Sequence, residues 1–125
     1  MKFGLSGCGA GFETLAPAQW PVFAQMAEAA GFESIWLNEE HFQRPRDGRG
    51  RFCLSPLIAA ALFVAHTQHI RIGFSVLLLP LHNPVRLAEE IATLDVMSGG
   101  RIDFGVSRGG NRDYSKAFGV DPDVG

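Results

Sequence analysis

Only two cysteines occur in 125 residues, Cys8 and Cys53, far apart and without a neighbouring metal-type pair. That excludes a disulfide framework and a cysteine-rich metal site. It reads as free thiols in a reducing compartment, the cytoplasm. No apolar run approaches the roughly 18–20 residues that a membrane span needs. Nothing at the start resembles a signal peptide, because the run after Met1-Lys2 is broken by Gly4, Gly7 and Gly9. Charge of neither sign dominates: the net value is −2, which removes the electrostatic case for nucleic acid or an anionic membrane surface.

What is present is a 46% apolar chain with a βα rhythm. Residues 2–7 predict a short first strand. Residues 17–30 predict a helix, with Phe23, Met26, Ala27 and Ala30 at three- and four-residue spacing and Gly31 as its stop. Residues 34–38 read as a second strand, apolar on both faces. Ser55-Pro56 is a cap-plus-proline pair that opens a helix to about Thr67. Residues 70–79 predict a third strand. Asn83-Pro84 repeats the cap signal and starts a helix that ends at Gly99-Gly100. That helix is expected to bury Leu87, Ile91, Leu94 and Met97 while Arg86, Glu89 and Glu90 face solvent. Residues 102–106 predict a fourth strand, and residues 114–118 the start of another helix.

Strands apolar on both faces fit a parallel sheet covered by helices. The strand starts recur at about the 31-residue period of a (β/α)₈ barrel. The expectation is therefore an α/β fold forming the N-terminal half, about four βα units, of a TIM barrel. Such a half leaves unpaired edges, so the chain reads either as an excerpt of a longer protein or as a half that pairs with a second copy or another partner without catalysis. An open flavodoxin-like sheet is the alternative fold. Strand order separates the two, since a barrel runs 1-2-3-4 and a doubly wound sheet reverses partway.

Parallel βα units place ligands at the carboxyl ends of their strands. Five candidates lie at these ends or in the loops that follow them. Asn38-Glu39-Glu40-His41-Phe42 joins carboxylates to a histidine able to move protons near neutral pH, against the reading of a solvated loop. Arg108, between Ser107 and Gly109-Gly110, offers a bidentate fork beside accessible backbone, or an ion pair across the sheet end. Gly105–Gly109 matches the G-x-S-x-G nucleophile elbow, but Gly109-Gly110-Asn111 is a poor helix start and no histidine follows His82. Gly7-Cys8-Gly9-Ala10-Gly11 is an incomplete dinucleotide loop, with Phe12 where the third glycine belongs. Arg44, Arg46, Arg49 and Arg51 suit phosphate, or a solvated loop, and lack the aromatic interleaving of a nucleic-acid track. Glu40, His41 and His82 lack zinc-like spacing, so no metal is expected.

Taken together, MKFG, GFESIWLNEEHF, LLLPLHNPVRLAEEIATLDVMSGGRIDFGVSRG and AFGVDP resemble the N-terminal half of the bacterial luciferase-like, flavin-dependent monooxygenases. Residues 1–125 then form the N-terminal portion of one such domain. The resemblance implies a TIM barrel binding reduced FMN, or the deazaflavin F420, and O₂ used to oxidise a small organic substrate such as an aldehyde, ketone or sulfonate. It implies a homodimer through barrel-face helices in the complete protein. It also carries residue roles. The bond Ser75-Val76 matches a non-prolyl cis peptide that supports the flavin ring, and Ser107 and Arg108 match flavin contacts, the arginine on the phosphate side. Glu39-Glu40-His41-Phe42 matches a strand-two motif, commonly E-H-H-F, whose first histidine is the catalytic base of luciferases. Glu40 stands in that place, which leaves Glu40 and His41 as the candidate catalytic pair. Residues 1–125 alone are expected to bind flavin poorly and to lack monooxygenase activity.

Overall fold

Strand order decides between the two folds. The computed structural model describes residues 1–8, 17–42, 55–121 and 123. Within it, β1 (Gly4–Cys8), β2 (Ser34–Leu37), β3 (Arg71–Phe74) and β5 (Ile102–Asp103) form one parallel sheet in sequential order. A doubly wound sheet would reverse. The sequential order is that of half a TIM barrel.

The covering helices are α1 (Trp20–Ala29, after a 3₁₀ turn at Pro17–Gln19), α2 (Pro56–His66) and α3 (Pro84–Ser98). They bury one strand face. Ile35, Leu37, Ile72 and Phe74 are fully buried with Ala24, Ala60 and Phe63, and alanines at these helix positions let backbone approach sheet. The opposite face is not apolar throughout, contrary to expectation. It carries Ser34 and Trp36, joined by a Trp36 Nε1–H to Ser34 Oγ bond of 2.9 Å, and Arg71 paired with Asp103 at 2.6 and 2.8 Å. Those polar groups satisfy one another, which permits them on an inner barrel face.

Helix boundaries follow their local signals closely. Asn83 Oδ1 accepts from the N–H groups of Val85 and Arg86 at 3.1 Å each, and Gly99 closes α3 at φ 71°. Ser55 sits at the N-cap of α2, but its hydroxyl makes no capping bond. Met97, expected in the core, is exposed, and so are Met26 and Ala30 of the α1 pattern. Their helical spacing is right, yet the buried stripe is narrower: Leu87 and Leu94 on α3, Trp20, Ala24 and Ala27 on α1.

Two predicted strands are each divided. The third becomes β3 and β4 (Leu77–Leu78), with a cis Ser75–Val76 bond between them. The fourth becomes β5 and β6 (Val106–Ser107). β4 and β6 pair in a second small parallel sheet at the carboxyl end. At the crossing, a Cβ on Gly105 would lie 2.1 Å from the Phe74 carbonyl oxygen, so only glycine lets these backbones meet.

The amino ends are tied by two charged groups. Arg101 donates to the carbonyls of Ile70 (2.7 Å), Thr67 (3.1 Å) and Ser98 (2.8 Å), linking the ends of α2 and α3 to the start of β3. Glu28 on α1 accepts from the backbone N–H groups of Gln68 (2.9 Å), His69 (2.5 Å) and Ile70 (2.8 Å).

Candidate functional site

Just beyond β2, hydrogen bonds join side chains two residues apart, so neighbours fall on alternate sides as they do on a strand. Asn38 and Glu40 share one side, with Asn38 Nδ2 donating to Glu40 Oε1 at 2.8 Å. Glu39 and His41 share the other. Glu39 is the buried member, its side chain 2% exposed. It accepts from the Leu78 N–H at 2.6 Å, and the Nε2 atoms of His41 and His82 each lie 2.9 Å from its Oε1. Leu78 and His82 arrive because β3 is the register neighbour of β2, and because the Glu39 N–H bonds to the Val76 carbonyl at 3.2 Å. Among the described residues, no group of His, Cys, Asp and Glu is placed to hold a metal ion.

The short helix α4 (Arg112–Phe118) covers His41. Tyr114 meets the imidazole edge-on at 5.2 Å between centroids, and Phe118 lies at 4.8 Å. Phe42, at φ 50°, adds a third aromatic ring. Below this cluster is a cavity of about 390 Å³ lined by Glu39, Glu40, His41 and His82, with Phe42, Leu57, Leu81 and Phe118 as apolar wall. Both candidate catalytic residues therefore line one cavity. Arg108 does not line it. It borders a separate polar cavity of about 180 Å³ with Gly109, Gly110, Arg112 and Asp121. Ser107 Oγ accepts the Gly109 N–H at 3.1 Å, and α4 starts only at Arg112, so the G-x-S-x-G match lacks the helix that the elbow requires. Ser75 is exposed and Val76 half-buried at the cis bond. The arginines at 44, 46, 49 and 51, Cys53, and most of the Gly7–Gly11 loop lie outside the described residues.

Sequence reasoning missed the central role of Glu39 and the partnership of His82. The available signal was that residues just past β2 and β4 are spatial neighbours if strands pair in order. A further groove, of about 580 Å³, lies between α2 and α3, away from this chemistry, and is bordered by Ile58, Arg86, Glu89, Glu90 and Met97.

The sequence profile of the luciferase-like monooxygenases matches residues 8–124. The chain belongs to that family. Among curated luciferase-like relatives, the alkanal monooxygenase alpha chain of Photorhabdus luminescens is 37% identical over 107 residues, which is 82% of this chain and 27% of that protein. Among solved structures, monooxygenase RslO1 of Streptomyces bottropensis superposes with a TM-score of 0.80 at 26% identity, over 98% of this chain and 38% of that one. A riboflavin lyase solved with modified FMN and riboflavin gives 0.75 at 26% identity, over 97% of this chain and 33% of that one. The chain thus spans roughly a quarter to two-fifths of these luciferase-like proteins' length, and its fold is that of the barrel's first βα units.

Proposed function

We propose that the protein is a flavin-dependent oxidoreductase of the monooxygenase type, acting in the cytoplasm on a small organic substrate with O₂. Reduced FMN is the favoured cofactor and F420 the alternative. The observation that carries this reading is the meeting of Glu40, His41 and His82 on one partly apolar cavity beside an arginine–glycine turn, all at the carboxyl ends of adjacent parallel strands.

The residues fit a flavin on two counts. Asn38 Oδ1 is buried without a hydrogen-bond donor among the described residues, and a flavin's ring imide is a donor of the matching kind. Arg108 with the Gly109-Gly110 backbone borders a polar recess sized for a phosphate group. Ser75 and Val76, at the cis bond just before β4, and Ser107, in β6, are assigned to the ring side and its edge. Reduced flavin, when bound, supplies the electrons that activate O₂. The chain's own part is to orient and to exclude water. Phe42, Leu81 and Phe118 supply apolar cover, and Glu40 and His41 hold and move a proton at the cavity wall.

The groove between α2 and α3 is assigned to a homodimer contact. Ile58 and Met97 are exposed there, and Arg86 lies beside Glu89 and Glu90, a pairing that a two-fold axis makes self-complementary. Sedimentation of the protein and of Ile58→Glu tests this, with a dimer expected for the first and a monomer for the second.

The functional test is to titrate the protein with FMN and with F420, then to follow O₂ uptake in the reduced complex on adding alkyl aldehydes and ketones. Saturable flavin binding and substrate-dependent O₂ uptake are expected of the complete protein, and weak binding without uptake of residues 1–125 alone. Failure of the complete protein to bind either flavin sinks the reading.

A further inference from the structure

Among the described residues, Glu39 is the one carboxylate at the strand ends that solvent scarcely reaches, and its three hydrogen-bond partners come from different parts of the chain. A backbone N–H only donates, so the Leu78 bond fixes Oε2 as an acceptor. Oε1 lies 2.9 Å from two imidazole nitrogens at once, and a single carboxylic acid proton would serve one of them at most. A buried carboxylate is held at least cost by donors on every side. The other ring nitrogen, Nδ1, of His41 and of His82 has no hydrogen bond among the described residues, and both rings line the 390 Å³ cavity.

We infer that Glu39 is a positioning residue that holds His41 and His82 with hydrogen on Nε2, making their Nδ1 atoms the proton acceptors offered to a ligand in the cavity, and so selecting ligands that carry a hydroxyl or N–H donor on an apolar body. This rests on the cavity being the substrate site of the proposed oxidoreductase. The surrounding polar atoms agree in sense. The Glu40 carboxylate lines the same cavity and, when ionised, only accepts. An anionic head group would meet a carboxylate and acceptor nitrogens, whereas an alcohol, a hydrated aldehyde or an amine would find partners. The wall of Phe42, Leu57, Leu81 and Phe118 accommodates the rest of such a molecule.

The test needs no flavin, so its failure is separable from failure of the proposed oxidoreductase function. Long-range ¹H–¹⁵N correlation spectra of the protein are recorded above about pH 8, where an ordinary imidazole is neutral. His41→Gln and His82→Gln assign the two rings. Both rings are expected as the Nε2–H tautomer. In Glu39→Gln an amide NH₂ replaces one acceptor oxygen, and at least one ring is expected to turn to Nδ1–H. Hexanol is expected to shift the His41 Nδ1 resonance at concentrations where hexanesulfonate does not. Nδ1–H at His41 in the unaltered protein overturns the inference, as do unchanged tautomers in Glu39→Gln, or a sulfonate response equal to that of the alcohol. If Glu39→Gln does not fold, the unaltered protein's tautomers decide alone.

Discussion

The indole of Trp36 lies across Gly73, its register partner on the neighbouring strand: a Cβ on Gly73 would sit 2.4 Å from Trp36 Cε3. The ring has little room to retreat. Its Nε1–H is held by Ser34, and Gly4 crowds its other end, where a Cβ would lie 2.9 Å from Nε1. Gly73→Ala is therefore expected to lower stability by about 1–3 kcal/mol, the usual cost of overpacking. Adding Trp36→Leu should recover part of the loss. Urea unfolding of the two variants checks this, and an unperturbed single variant would show that the indole moves freely.

Glu28 links stability to acid. Burial opposes its ionised form, but the N–H groups of Ile70, His69 and Gln68 together outweigh burial and hold its carboxyl below the usual carboxylate range. A carboxylate whose folded pKa is depressed contributes stability that is fully present above its unfolded pKa. That contribution fades as pH falls through the folded value. Stability of the protein should thus drop below about pH 4.5. Glu28→Gln should be weaker by about 1–2 kcal/mol at neutral pH and should show a flatter acid limb. Thermal melts between pH 3 and pH 7 measure both; parallel profiles for the two proteins would contradict the assignment.

Arg101 is expected to matter through shape as well as charge. Its guanidinium reaches carbonyls at the ends of two helices and the start of a strand, besides Thr67 Oγ1 at 3.0 Å. Arg101→Ala should cost about 2–3 kcal/mol, since these carbonyls lose a charged donor. Arg101→Lys should restore less than half, because an ammonium cannot span the fork. Equal rescue by lysine, read by urea unfolding, would reduce the role to charge alone.

At the site, two substitutions in the complete protein should separate binding from chemistry. Arg108→Ala is expected to raise the flavin Kd about 10–100-fold with its main effect on binding, as loss of a charge-assisted contact does. Glu40→Gln is expected to leave that Kd within about twofold and to lower kcat about 100-fold, the range of proton-transfer catalysis. Fluorescence titration and O₂ uptake supply the two readings. An Arg108→Ala protein with unaltered flavin affinity would remove the phosphate-side assignment.

Much of this was legible in the chain. Asn83-Pro84 and Gly99 bounded α3 correctly because capping is local: the groups that satisfy a helix end lie within a few residues of it. The βα alternation, and with it the parallel sheet, follows from apolar runs and stops along the chain, and the luciferase-like family from its longer motifs. Other features were settled only by strands meeting. Met97 has the spacing of a core residue, but which edge of an apolar stripe is buried depends on the neighbour it packs against. Gly105 looked like part of a catalytic motif, and only the Phe74 carbonyl 2.1 Å from its absent Cβ shows a need for clearance. Glu39 and Glu40 are chemically identical neighbours. Alternation of side chains just past β2 turned one toward Leu78 and His82, about 40 residues away in sequence, and left the other at the cavity wall. Sequence alone determined that carboxylates and a histidine stand at a strand's end. Tertiary structure decided which carboxylate is buried, because burial is set by what a second strand brings alongside.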